Sequence, residues 1–275
     1  MTADNTDETQ VPLTRQSRGV WAVGCDLRVS GLSFALGLNG EPDPNAGHAT
    51  VELRTDMWRF WLEDAINAAQ AAVSVADQIP PTLEQYEAGN ATTEDLEQLV
   101  TRELIAAMRA MTACAFAIDA FYASVKARSP KHPQQDIWNA KGTARHKQVA
   151  ETFRFHLKIK DREAVKEIKS RVSQLFRFRN WAVHPGAQFR PPIYRPDLNA
   201  ALDWHFTVFC RENAVKATAM TVQMMDSFVT VLDRGSAELA EQKQGARRVM
   251  DAILDRYESA NCLSELQRVE SPATS

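Results

Sequence analysis

Cysteine is sparse in this chain, and no two cysteines are close. Cys25, Cys114, Cys210 and Cys262 are scattered over 275 residues. No CxxC and no Cys/His ligand spacing occurs, which argues against a structural zinc site. Glycine is also scarce, at 11 residues. No GxGxxG and no GxxxxGKS/T is present, so the usual dinucleotide and nucleoside-triphosphate loops are missing. HExxH and GxSxG are missing too, and with them the zinc-protease and nucleophile-elbow signatures. The longest apolar run, AMTACAFAIDAFYASV, is broken by Asp119, and no uncharged stretch of about 20 apolar residues appears. The start, MTADNTDETQ, is polar and acidic, unlike a signal peptide. These absences predict a cytoplasmic protein with reduced thiols, no membrane partner, no metal and no cofactor.

What is present is enough apolar residue to build a core. The chain is 44% hydrophobic and 24% charged, unlike a disordered sequence. Low glycine together with many Ala, Gln, Arg and Glu leans helical. The formal net charge of −3 hides a strong asymmetry. From Lys126 to Arg195 there are 17 Lys and Arg against 5 Asp and Glu, a net of +12. The other 205 residues hold 15 basic and 30 acidic residues, a net of −15. Four of the six histidines, His132, His146, His156 and His184, fall in the basic block. Such a block suits an anionic partner, or solvated helix faces paired with acidic helices of the same chain.

Periodicity then sets an organisation. Residues 1–17 read as a polar tail, and 18–54 as a small β element. Leu27-Arg-Val-Ser and Leu32-Ser-Phe-Ala-Leu alternate as strands do, with Gly31 at a turn or bulge and a third short strand at Thr50-Val-Glu-Leu. Thr55 is expected to cap a helix reaching Gln78 and stopped by Pro80-Pro81, with a polar linker over 80–92. Thr92 or Thr93 starts a long helix to about Arg128, with Leu96, Leu99, Val100, Leu104, Met108 and Met111 at three- and four-residue spacing. A loop is expected over 129–142, then a helix from Thr143 to about Leu157. Asp161 caps a helix to about Val183 whose stripe is Val165, Ile168, Val172, Leu175, Arg179 and Ala182. The Pro-rich stretch 185–201 breaks the pattern, and Trp204 to Phe209 reads as a short strand. Helices follow over 212–233 and from Ser236 to about Arg268. The fold class predicted is mainly α, an antiparallel helical bundle with a small N-terminal β element. The bundle occupies 55–235, and a C-terminal helix over 236–270 packs on it.

The sharpest local feature is Leu175-Phe-Arg-Phe-Arg-Asn-Trp-Ala-Val-His-Pro. Asn180 and His184 are four apart and share a helix face. Arg179 lies on a stripe that is otherwise apolar, where an unpaired cation is costly to bury, so it is expected to line a cleft or interface. Pro185 disfavours helical geometry at His184 and puts it at the helix end. A permanent cation beside a group that titrates near neutrality suits phosphodiester chemistry. The imidazole can move protons while the guanidinium holds phosphate oxygens as charge builds.

Arg179-Asn180, three residues, then His184 resembles the Arg-(Asn/Asp/His)-x-x-x-His motif of the HEPN superfamily (higher eukaryotes and prokaryotes nucleotide-binding). Cys114-Ala-Phe-Ala-Ile-Asp-Ala-Phe-Tyr resembles an Ala-rich segment, with an acidic residue then Ala-Phe, on an earlier helix of that superfamily. The resemblance covers roughly residues 55–235. It implies a dimerising helical bundle in which two Arg/His helices face each other. It further implies a metal-independent endoribonuclease, in many members a toxin or defence effector. Cleavage would use the RNA's own 2′-hydroxyl, with His184 as general acid or base. Arg179 would stabilise the phosphorane-like transition state, and Asn180 would orient one of them or the phosphate. Arg177 and Asp119 are further candidates for substrate binding, each with a plain structural reading beside it. The partners implied are RNA, a second copy, and an antitoxin or nucleotidyltransferase. The other reading is a non-catalytic module that binds nucleotide, RNA or a partner protein. His156, among aromatics, reads as a packing histidine. Trp58, Phe60 and Trp61 read as core or interface, and Trp181 as interface.

Overall fold

The computed structural model describes residues 25–33, 48–184 and 189–260. The chain divides into two units, Met1–Asp56 and Met57–Ser275. The fold is mainly α and bundle-like.

In the first unit, β1 (Cys25–Ser33) pairs antiparallel with β2 (His48–Thr55). Strand alternation gives the hairpin two chemically distinct faces. Leu27 opposes Leu53 and Val29 opposes Val51 on one face. On the other, Asp26 opposes Arg54 and Arg28 opposes Glu52, and both pairs form ion pairs. Opposite charges at facing positions favour this register over a slipped one. The register shifts between Ser30 and Ser33, around Gly31 at φ +62°. The two strands expected before residue 37 are therefore one bulged strand as far as Ser33. Phe34 to Leu36 lie outside the described residues.

The second unit is built on α3 (Thr93–Ala127), which packs against α1 (Trp58–Ala76), α5 (Arg145–His156), α6 (Arg162–Val183) and α8 (Arg211–Thr230). The start of α3 is fixed by a capping box. The Thr92 hydroxyl accepts from the Asp95 N–H at 3.2 Å, and the Asp95 carboxylate accepts from the Thr92 N–H at 2.8 Å. Its two ends differ in charge. Glu94 and Asp95 occupy the first turn and Lys126 the last, as the helix dipole favours. By length and composition α3 is the one helix, among the described residues, apolar enough to cross a membrane. Its apolar residues form the core instead. Ala107, Ala110, Ala113 and Ala117 are buried, as are Ala65, Ala68, Ala69 and Ala72 of α1. Side chains this small let two helix backbones approach closely. Beyond the alanines, Phe121 of α3, Phe153 of α5 and Phe228 of α8 pack ring on ring, with centroids 4.4–6.1 Å apart. Trp58 meets Phe121 edge-on at 5.7 Å, a core role as expected.

Several expected boundaries are corrected. Thr55 ends β2 and caps nothing; α1 begins after Met57. Pro80 and Pro81 do not open a linker. They sit in the first turn of α2 (Ile79–Glu87), where a missing N–H costs nothing. The expected loop 129–142 contains α4 (Gln135–Lys141), stopped by Gly142 at φ +59°. Ala144, not Thr143, precedes α5. Residues 204–209 are no strand but the short helix α7 (Trp204–Val208), because the Asp203 carboxylate accepts from the His205 N–H at 2.9 Å. The last helix among the described residues is α9 (Ala237–Ser259), capped by Ser236 as expected, and the expected continuation over 261–268 lies outside the described residues.

Between α6 and α7 the chain forms β3 (Ile193–Arg195), a 3-10 turn (Pro196–Leu198) and β4 (Ala200–Leu202). Arg195 ties this segment to the bundle. Its guanidinium sits 2.9 Å from the Glu103 carboxylate of α3 and donates to Asp197 at 3.1 Å and to the Phe206 carbonyl at 3.1 Å. The other Glu103 oxygen accepts from the Arg211 N–H at 2.9 Å. Burial disfavours the charged guanidinium, but the Asp197 hydrogen bonds and the Glu103 charge outweigh it and raise its pKa.

Candidate functional site

The site is built on the last turns of α6. The helix starts at Asp161, whose carboxylate accepts from the Ala164 N–H at 2.7 Å. Ile168, Val172, Leu175, Phe176 and Phe178 bury one side of it, so the opposite side is committed to solvent. His184 is the C-cap, at φ −126° and ψ 58°. Its N–H still donates to the Asn180 carbonyl at 2.8 Å, while its own backbone has left the helix ahead of Pro185. The imidazole is thereby held at a helix end and exposed.

Arg179 is half-buried at the edge of the apolar stripe. Its guanidinium lies 4.9 Å from the centre of the Phe176 ring, one turn back, and donates to Asn180 Oδ1 at 3.1 Å. The cation is partly shielded by an aromatic face. Arg177 is exposed on another side, 5.8 Å from the Trp181 ring. Trp181 in turn meets the edge of Trp204 at 5.7 Å, and Arg190 lies 4.8 Å from the Trp204 ring. A row of cations and indoles thus runs from Arg177 to Arg190 past the end of the motif. Arg190 and Trp204 had no signal in the sequence. Arg190 lies within and Trp204 just after a Pro-rich stretch with no period, and only the fold brings Trp204 to Trp181.

The charge asymmetry survives folding in part. Lys131, Arg145, Arg154, Lys166, Arg171 and Arg195 are in ion pairs. Among the described residues, Arg177 and Arg179 have no carboxylate partner, while the charge of Arg190 helps to lower the pKa of Asp203. Acidic residues outside the block cover only part of it, with Asp119 on Arg145 and Glu103 on Arg195.

Asp119 is engaged by a side chain outside the motif. Its carboxylate accepts from Arg145 Nε at 2.8 Å, joining α3 to α5, and the Arg145 guanidinium also covers the Tyr122 ring at 4.2 Å. The structure therefore brings Arg179, Asn180 and His184 onto one helix end, sets Arg177 beside it, and engages Asp119 elsewhere.

Two other histidines of the block, His132 and His156, serve packing. His156 is buried, and its ring lies 5.7 Å from that of His132. His132 stacks on Trp138 at 4.4 Å, and its Nδ1 accepts from the Gln134 N–H at 3.1 Å. Burial lowers the pKa of both imidazoles, and for His156 the neighbouring His132 adds to it. Cys114 and Cys210 are buried, and burial pushes each thiol up to about 11, so neither is a nucleophile at neutral pH. Among the described residues no three His, Cys, Asp or Glu side chains are grouped to hold a metal ion. No family model, curated protein or solved structure matches this chain.

Proposed function

We propose that this chain is a HEPN-type endoribonuclease that works as a homodimer without a metal. The observation that carries the reading is the end of α6. There Arg179, joined to Asn180 and free of any carboxylate among the described residues, stands half-buried five residues before the exposed His184. In-line attack by a ribose 2′-hydroxyl needs a proton removed from that oxygen and one delivered to the leaving 5′-oxygen. An exposed imidazole is suited to either transfer. The pentacoordinate phosphorus carries extra negative charge, and a guanidinium answers it with two parallel donors. Asn180 orients that guanidinium through its Oδ1. The bond formed is 2′-O to phosphorus and the bond broken is phosphorus to 5′-O. The products are a 2′,3′-cyclic phosphate and a free 5′-hydroxyl. Arg177 and Arg190, with the indoles between them, supply cationic and stacking contacts for a single strand. Two copies related by a two-fold axis would pair their motifs in one composite site. A toxin or defence role, with a neutralising partner, belongs to the same reading.

The seat of Arg179 on Phe176 favours a second reading, a module that binds RNA, nucleotide or a partner protein without cutting. Incubating labelled RNA with the wild type and with His184→Ala, with and without EDTA, separates the two. Cutting that is lost in His184→Ala and unaffected by EDTA is the expected result. Cutting that persists in the variant removes His184 from the mechanism. Binding with no cutting by either protein selects the second reading.

A further inference from the structure

We propose that the second unit carries a binding site for a small amphipathic organic cation, separate from the α6 motif. A pocket of about 680 Å³ opens between α2, α3, the β3–β4 segment and α7. Its walls are mainly apolar, with Leu83, Tyr86, Leu96, Leu202 and Phe206 around it. Volume and lining are those of a site for a drug-sized molecule.

The wall is fixed in place. Leu198, Asn199 and Ala200 form one side of the pocket. Asn199 holds a left-handed conformation at φ +47°, and its Oδ1 accepts from the Tyr194 hydroxyl at 2.9 Å. Arg195 anchors the same short segment to Glu103. A wall built this way is formed before a ligand arrives, which lowers the ordering cost of binding.

The polar lining selects the charge of the occupant. Glu87 and Glu97 line the pocket, and no Lys, Arg or His does. Neither glutamate has a cationic partner among the described residues. Glu87 is also the last residue of α2, where the helix dipole adds negative potential. Tyr86 and Phe206 are aromatic members of the lining, the residue type that attracts a cation. The combination excludes an anionic ligand, and so a nucleic-acid strand. It fits an apolar body carrying one ammonium group. The site is chemically the reverse of the basic block, and the inference does not rest on ribonuclease activity.

The test is calorimetric titration of the full chain with three probes of one shape: 4-phenylbutan-1-amine, 4-phenylbutan-1-ol and 4-phenylbutanoate. The amine is expected to bind saturably and tightest, and the carboxylate weakest. Glu87→Gln with Glu97→Gln is expected to weaken the amine about 5- to 20-fold and leave the alcohol unchanged. Ala200→Trp and Thr101→Trp, both at exposed lining positions, are expected to block the amine and the alcohol while unfolding stays at the wild-type temperature. No saturable binding of the amine, equal binding of the carboxylate, or an amine affinity indifferent to the glutamine pair would each overturn the proposal.

Discussion

The guanidinium of Arg195 and the carboxylate of Glu103 meet at 2.9 Å with almost no access to solvent on either side. A pair so buried is weak evidence of net stabilisation, but breaking it strands a charge. Arg195→Met is expected to lower stability by roughly 3–5 kcal/mol, read from urea unfolding midpoints. Glu103→Gln combined with Arg195→Met is expected to recover part of that loss. A double variant as unstable as the single one would mean that the stranded carboxylate is not the cause.

The alanine seam between α1 and α3 makes a second expectation. Ala69 and Ala110 are fully buried where two helices close on each other. Ala69→Leu or Ala110→Leu is expected to cost about 1–3 kcal/mol through overpacking. Ile105 lies on the same long helix but is largely exposed. Ile105→Ala is expected to stay within about 0.5 kcal/mol of the wild type. Thermal unfolding of the three variants side by side checks the contrast.

Acidification has a defined direction. His132 and His156 have folded pKa values lowered from 6.5 by burial, and partly buried His146 is lowered for the same reason. The unfolded chain therefore takes up protons first. Stability is complete above about pH 6.5 and falls as the pH drops below it, towards the folded pKa values. This window lies above that of the ion-paired carboxylates, such as Glu151. His132→Phe with His156→Phe is expected to flatten the loss between pH 7.5 and pH 5.5. An unchanged slope in urea midpoints would assign the effect to other groups.

For the α6 motif, Arg179→Lys is expected to be nearly as damaging as Arg179→Ala, because a lysine cannot give two parallel donors. Losses of about 10²- to 10³-fold in cleavage rate are expected for either. Arg177→Ala is expected to act on binding instead. It should weaken single-stranded RNA and flatten the salt dependence of log K by about 0.7 if one phosphate contact is lost. Equal losses in rate and an unchanged salt slope would mean that Arg177 touches no phosphate.

Where local chemistry decides structure, the sequence was legible. Thr55 and Thr143 do not cap the helices expected of them, but Thr92, Asp161 and Ser236 do, because a cap is settled within three residues. The stripe Ile168, Val172, Leu175 came through for the same reason. Residues 79–87 and 204–208 were misread because their signals are ambiguous at short range. A Pro pair both ends and begins helices, and a short run such as Trp204-His-Phe-Thr-Val-Phe fits one helical turn as well as a strand. The motif at 179–184 could be seen because its parts share one helix. The row from Trp181 to Trp204, the Glu103–Arg195 pair and the acidic pocket could not. Each joins residues that no spacing rule connects.

The arrangement of charge along α3 has an electrical consequence. The helix is 35 residues long, about 50 Å, with carboxylates in its first turn and near the pocket, and with Lys126 in its last. The basic block begins where it ends. The block does not stay at that end, because Arg195 returns to Glu103 in the first third of the helix. Positive side chains therefore lie along α3 rather than at one pole. At its tips the side-chain charges and the backbone dipole oppose each other, and added salt is expected to weaken that mutual attraction.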